Sequence, residues 1–151
     1  MSEVEDDAKT EISASLVILA PWPEVEKVLS VVGVVPDYTW RQGDAAGQSL
    51  IKQSQDGCRI LSTLPTSCSL SEHIEDILRR ISPDLKNLLI SAERSVKLAA
   101  SVNIFGYDRP PFQVGVASVK KLAELGASID VDIYTFPIEN ADNSVHATVQ
   151  K

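Results

Sequence analysis

The stretch "SVKLAASVNIF", Ser95 to Phe105, alternates cleanly along its length. Leu98, Ala100, Val102 and Ile104 take one side; Lys97, Ala99, Ser101, Asn103 and Phe105 take the other. A side-chain period of two is that of a strand. One apolar row backed by a mixed one predicts a strand with a single face on the core. A sheet covered on one face needs helices on that face only, which is a two-layer α+β arrangement.

The flanking chain supplies those helices. Downstream, "GVASVKKLAELG" reads as a short helix with Val119, Leu122, Ala123 and Leu125 inward and Gly126 at its exit. "ASIDVDIYTF" then alternates again, with Ile129, Val131 and Ile133 opposed to Asp130, Asp132 and Tyr134. Upstream, "SLSEHIEDILRRISPDLKNLLIS", Ser69 to Ser91, carries the longest helical signal. Ser69 and Glu72 have capping-box spacing. Leu70, Ile74, Ile77, Leu78 and Ile81 form an apolar stripe, with His73 beside it as a packing or surface residue. Pro83 should break the helix, with Ser82 capping the segment beyond the break.

Nearer the start, "SASLVILA", Ser13 to Ala20, reads as a buried strand. In "PWPEVEKVLSVVG", Val25, Val28, Leu29 and Val32 share one helical face, with Pro23 in the first turn and Gly33 at the exit. Residues 34–57 read as loop, with a short strand around Ser49 to Gln55, and "GCRIL" from Gly57 as a better one. The order is strand, helix, one or two strands, helix, strand, helix, strand. It predicts a two-layer α+β sandwich, ferredoxin-like or an elaboration of that plan, with a mixed or antiparallel sheet. The expected division is an acidic disordered tail over residues 1–12, a single domain over 13–138, and a flexible tail or edge strand over 139–151, where "VHATV" lies.

Composition narrows the function. The net charge is −7, and residues 1–12 hold five acids against one lysine, so about −3 remains for the rest. That argues against nucleic acid, whose phosphates need clustered Lys and Arg. No run approaches a membrane span of ~20 apolar residues. The acidic opening lacks a signal-peptide layout and predicts a cytoplasmic location. Cys58 and Cys68 fit no paired zinc spacing and read as half-buried thiols. His73 and His146 are the only histidines. No nucleotide loop and no nucleophile elbow is present. Asp130 and Asp132 share one face of a strand, about 7 Å apart; on a wet face they are its polar row, and under cover they could bind a metal or a basic side chain. The chain is expected to be no enzyme and to need no cofactor or metal.

Two loops remain. "YTWRQGD", Tyr38 to Asp44, concentrates two aromatics, an Arg, a Gly and an Asp in a chain with only 2 Trp, 3 Tyr and 3 Phe. Trp and Arg on a loop suit an interface anchor; the alternative is that Trp40 plugs the core edge while Arg41 and Asp44 tie the loop down. "GYDRPPF" repeats the chemistry with Tyr107, Asp108, Arg109 and Phe112. The candidate binding residues are therefore Trp40, Arg41, Gly43, Asp44, Tyr107, Asp108 and Arg109.

These stretches taken together resemble the family known as domain of unknown function 4279. The resemblance rests on Trp40, Arg41, Gly43 and Asp44, then Leu70, Glu72 and His73, then Leu122, Leu125, Gly126, Asp130, Asp132, Ile133 and Tyr134. It runs from about Ser15 to Phe136 and departs from the family pattern at Cys58, where a Trp is frequent. It implies a small bacterial-type α+β domain whose activity is unassigned. The functional expectation is a non-catalytic binding protein, such as an immunity-type protein, that binds a basic toxin-like partner or another protein. The alternative is a small-ligand regulatory module, with which a homodimer burying a sheet edge is compatible.

Overall fold

The computed structural model of the protein describes residues 9–46, 51–89 and 94–137. Five strands, β1 (Glu11–Leu19), β2 (Tyr38–Trp40), β3 (Gly57–Leu61), β4 (Ser95–Phe105) and β5 (Ala127–Phe136), form one sheet in the order β2-β3-β1-β4-β5. Four helices, α1 (Trp22–Val31), α2 (Leu70–Arg80), α3 (Leu85–Leu89) and α4 (Val116–Glu124), accompany it. β1 is antiparallel to both β3 and β4, and β2 is antiparallel to β3. Hence β1 and β2 run parallel with β3 between them, and β3 and β4 run parallel with β1 between them. These are two interleaved split βαβ units, the ferredoxin-like plan. To this plan α4 adds a crossover and β5 a strand parallel to β4. The fold is thus an elaborated ferredoxin-like α+β sandwich with a mixed sheet.

The alternation that predicted one covered face holds in three dimensions. Ile12, Ala14, Leu16 and Ile18 of β1, Cys58 and Ile60 of β3, and Val96, Leu98, Ala100 and Val102 of β4 join one buried cluster. Val28 and Val32, Ile74, Ile77 and Leu78, Leu85, and Leu122 and Leu125 close it from the helical side. Leu16, Ile18, Ile60 and Leu98 are completely excluded from solvent.

Helix boundaries follow their signals. Ser69 caps α2: its hydroxyl accepts from Glu72 N at 3.2 Å, while Glu72 Oε2 accepts from Ser69 N at 2.8 Å. The chain breaks at Pro83, and Ser82 Oγ accepts from Asp84 N at 3.2 Å to start α3. Gly33 and Gly126 leave α1 and α4 with φ of 82° and 66°, where a side chain would strain the backbone.

Four expectations need correction. β1 starts at Glu11, inside the expected acidic tail, and Thr10 is already tied to Asp108. The second strand is Tyr38–Trp40, within the expected loop; around residues 49–55 there is only a single bridge, Ala45 to Lys52, and residues 47–50 are outside the described set. Pairing with β3 turned the Tyr38 segment into a strand, which no local period announced. Third, α4 buries Ser118, Leu122 and Leu125, whereas Val119 is 48% exposed and Ala123 is also exposed. Fourth, Cys58 is completely buried; only Cys68 is intermediate, and both are free thiols. His146 and the "VHATV" edge strand lie outside the described residues. Among the described residues, no helix is long and apolar enough to cross a membrane.

Candidate functional site

The loop "YTWRQGD" builds a corner. Trp40 pairs with Gly57 across β2 and β3, and its indole lies against that glycine. A Cβ on Gly57 would meet Trp40 Cζ2 at 2.6 Å and the Ile18 carbonyl at 2.8 Å. The indole N–H donates to the Gln55 carbonyl at 3.0 Å, which closes the loop onto itself. Beyond it, residues 41–44 turn tightly: Asp44 N donates to the Arg41 carbonyl at 3.0 Å, Asp44 Oδ2 accepts from Arg41 N at 2.7 Å, and Gly43 has φ 90°.

Arg41 is exposed but folds back along the corner. Its guanidinium stacks on the Trp22 ring, 4.2 Å from the centroid, and its Nε is 3.8 Å from Asp56 Oδ1. Asp56 is the hub the loop closes on. Its Oδ2 accepts from Trp22 N at 2.9 Å, where α1 begins, and its Oδ1 accepts from Gln42 N at 2.6 Å. A small hollow of about 300 Å³ lies beside it, with Gln42 and Asp56 on its wall. Trp40, Arg41, Gly43 and Asp44 are thus brought together, and each is engaged in fixing the corner. Asp56 and Trp22 escaped the sequence reading; an acid just before the strand glycine was the available signal for the first.

"GYDRPPF" opens a cavity instead. A cleft of about 680 Å³ lies where β1 begins and β4 ends, and it includes Tyr107, Asp108 and Arg109 on its wall. Asp108 is its fixed point. Asp108 Oδ2 accepts from both the backbone N–H and the hydroxyl of Thr10, and Oδ1 accepts from Arg109 N at 2.9 Å. Those bonds, the Thr10 hydroxyl foremost, hold the carboxyl below the usual aspartate range. Tyr107 is 91% exposed. Ile12 and Phe105 provide apolar floor, and Lys9 and Arg109 bring positive charge with no acidic partner among the described residues. The opposite wall carries Cys68 and Ser69. Burial, and then Glu72, push the Cys68 thiol up, the wrong direction for a nucleophile. The two candidate loops therefore occupy separate places: one is built into the β2 edge and the other lines the 680 Å³ cleft.

A buried polar network sits between β3 and α2. His73 Nδ1 lies 2.7 Å from Ser62 Oγ, and His73 is 1% exposed. Asp76, 3% exposed, accepts from Thr63 N at 2.9 Å and from Arg80 Nη1 at 3.2 Å, and Arg80 also donates to the Leu61 carbonyl at 2.8 Å. Burial pushes Asp76 up, but the Thr63 and Arg80 bonds outweigh it and leave the carboxyl low. Burial holds the His73 imidazole below 6.5 against the opposing pull of Asp76, the Ile12 backbone and Glu72. Ser, His and Asp here do not make a triad. Asp76 accepts from Thr63, Arg80 and, at 3.5 Å, from Ser62 Oγ, and makes no hydrogen bond to the imidazole, and none of the three is on the wall of the 680 Å³ cleft or of the hollow beside Asp56. The network joins helix to sheet.

Asp130 and Asp132 are both exposed on β5, with Asp130 Oδ2 3.5 Å from Lys97 Nζ. That is the wet polar row, as expected. No group of three or more His, Cys, Asp or Glu among the described residues could hold a metal ion.

No curated protein and no solved structure matches the chain. A family model described as a domain of unknown function, DUF4279, matches residues 10–136, and the chain belongs to that family.

Proposed function

We propose that this is a non-catalytic binding protein, and that the cleft beside Tyr107–Arg109 receives a small molecule with an anionic group and a flat apolar body. The observation that carries this reading is the cleft itself. Its 680 Å³ falls in the range of small-molecule sites, and it combines an aromatic and proline floor with two cations. His73 and Asp76 are enclosed and line neither the cleft nor the hollow beside Asp56, and Asp130 and Asp132 are solvated, which supports binding over catalysis. The test is a thermal-shift screen of aromatic carboxylates and phosphate monoesters, followed by titration of the hits. Arg109→Ala, at an exposed position, should weaken a hit at least about tenfold without lowering the melting temperature of the free protein. A screen without hits, or hits indifferent to Arg109→Ala and Tyr107→Ala, would refute it.

A second reading, an immunity-type protein that covers a basic toxin-like partner, is supported by the net charge of −7. Acidic steering speeds encounter with a cationic protein and weakens as salt rises. Affinity capture from native cells, repeated at rising salt, tests it. A basic protein whose retention is salt-sensitive and unaffected by Arg109→Ala would favour this reading over the first.

A further inference from the structure

The outer side of β5 is unusually apolar for a surface. Among the described residues, eleven large hydrophobic side chains are exposed, and six of them belong to α4 and β5: Val116, Val119, Ile129, Ile133, Tyr134 and Phe136. Their positions converge. Lys121, Glu124 and Leu125 line the groove that α4 shares with α2 and α3. Val116, Val119 and Ala123 lie roughly half a turn round the helix from those three, on the flank turned away from α2. Ile129 and Ile133 pair with Leu98 and Val102, so they stand on the same helical side of the sheet as α4. They remain 44% and 52% exposed on that side. Tyr134 and Phe136 stand on the other face, where Phe136 stacks on Phe105 at 5.0 Å.

Between these two apolar strips runs the backbone edge of β5, ten residues long, with no partner strand on its outer side among the described residues. Exposed edges of soluble proteins are ordinarily short, bulged or charged. β5 carries only Asp130 and Asp132, and Asp130 is already paired with Lys97.

We infer that this edge is the interface of a two-fold homodimer in which β5 pairs antiparallel with β5 of a second copy. Side-chain chemistry selects the register, because residues opposite each other must share a face and like charges must not meet. Centring the two-fold on Val131 or Asp132 sets aspartate against aspartate. Centring it on Ile133 sets Asp132 against Tyr134 of the second copy, a carboxylate against a phenolic donor, and does so twice by symmetry. It also sets Ile133 against Ile133 and Asp130 against Phe136. The six side chains present on the order of 500 Å² of apolar surface. With the strand edge and α4 flank added, this approaches the ~800 Å² per partner of a stable interface. The product is one ten-stranded sheet with the two α4 helices side by side across the axis.

Sedimentation equilibrium of the full chain from about 1 to about 100 µM tests this, a span that brackets the affinities of ordinary reversible dimers. A dimer is expected, and Ile133→Lys or Val119→Lys should raise its dissociation constant at least about 30-fold. Both positions are about half exposed, so an unchanged far-ultraviolet spectrum checks that the variants still fold. In a Cys68→Ser background, Ile133→Cys should cross-link to itself on mild oxidation and Ser128→Cys should not. A chain that stays monomeric at the top of that range overturns the inference, as does a dimer indifferent to both lysine variants. A monomer that dimerises only when residues 138–151 are deleted also overturns it, by making the chain's own tail the occupant.

Discussion

Trp40 is pressed against Gly57, so removing its ring and adding one methyl opposite it are both damaging, for opposite reasons. Gly57→Ala places a carbon 2.6 Å from Trp40 Cζ2 and 2.8 Å from a backbone oxygen that cannot move aside. A loss of about 1–3 kcal/mol is expected. Trp40→Ala removes the ring packed on Gly57 and frees the Gln55 carbonyl; with the ring only half buried, about 2 kcal/mol should be lost in a urea denaturation curve. Arg109→Ala should cost almost nothing on the same assay, which separates the structural loop from the binding one. At His73 the sign is set by burial. An imidazole held below 6.5 leaves the unfolded chain binding more protons just under that pH. Stability is therefore complete above pH 6.5 and falls as the pH drops, by at most about 1.4 kcal/mol per unit. Asp76 adds a second loss only below its ordinary 3.8, because its carboxyl is held low. His73→Gln should flatten the first window and leave the second, as read by melts from about pH 3 to about pH 7.

At the scale of elements, α2 depends on its cap and α4 on its orientation. Ser69→Ala removes the acceptor for Glu72 N and should cost about 1 kcal/mol, with the loss appearing as a lower melting temperature. How much could be read in advance depends on where the information resides. The α2 boundaries, the break at Pro83 and the faces of β4 were legible because capping, proline geometry and period are local. β2 was not, because three residues become a strand only by pairing with β3. The face of α4 was misread for a related reason. Val119 and Ala123 fit an inward stripe as well as Leu122 and Leu125 do, and only packing against α2 decides between flanks. Of the two loops, both were found as candidates, but their division into a corner and a cleft turns on Asp56 and Thr10, each distant in sequence from the loop residues it bonds. The Ser62–His73–Asp76 network was invisible as a network, since its parts come from a strand end and a helix.

For the molecule as a whole, sheet order predicts a gradient of local stability. β1 is paired with β4 along its whole length and with β3 from Ser15 to Leu19, whereas β2 has three residues and one neighbour. Hydrogen exchange in the native state should therefore place β1 and β4 amides at the global unfolding limit and β2 amides well below it, by several kcal/mol. If β2 and β1 exchanged alike, the corner at Trp40 would have to be as firmly held as the centre of the core. The central position of β1 has a further consequence during synthesis. Its partners are Gly57–Leu61 and Ser95–Phe105, so the first strand to be made is among the last whose two edges can both be satisfied. At translation speeds of ~5–20 residues per second, that interval is roughly four to seventeen seconds. Through it the nascent chain carries "LVIL" at Leu16 to Leu19 with its pairing incomplete, which makes β1 the natural point of contact for a chaperone on the ribosome.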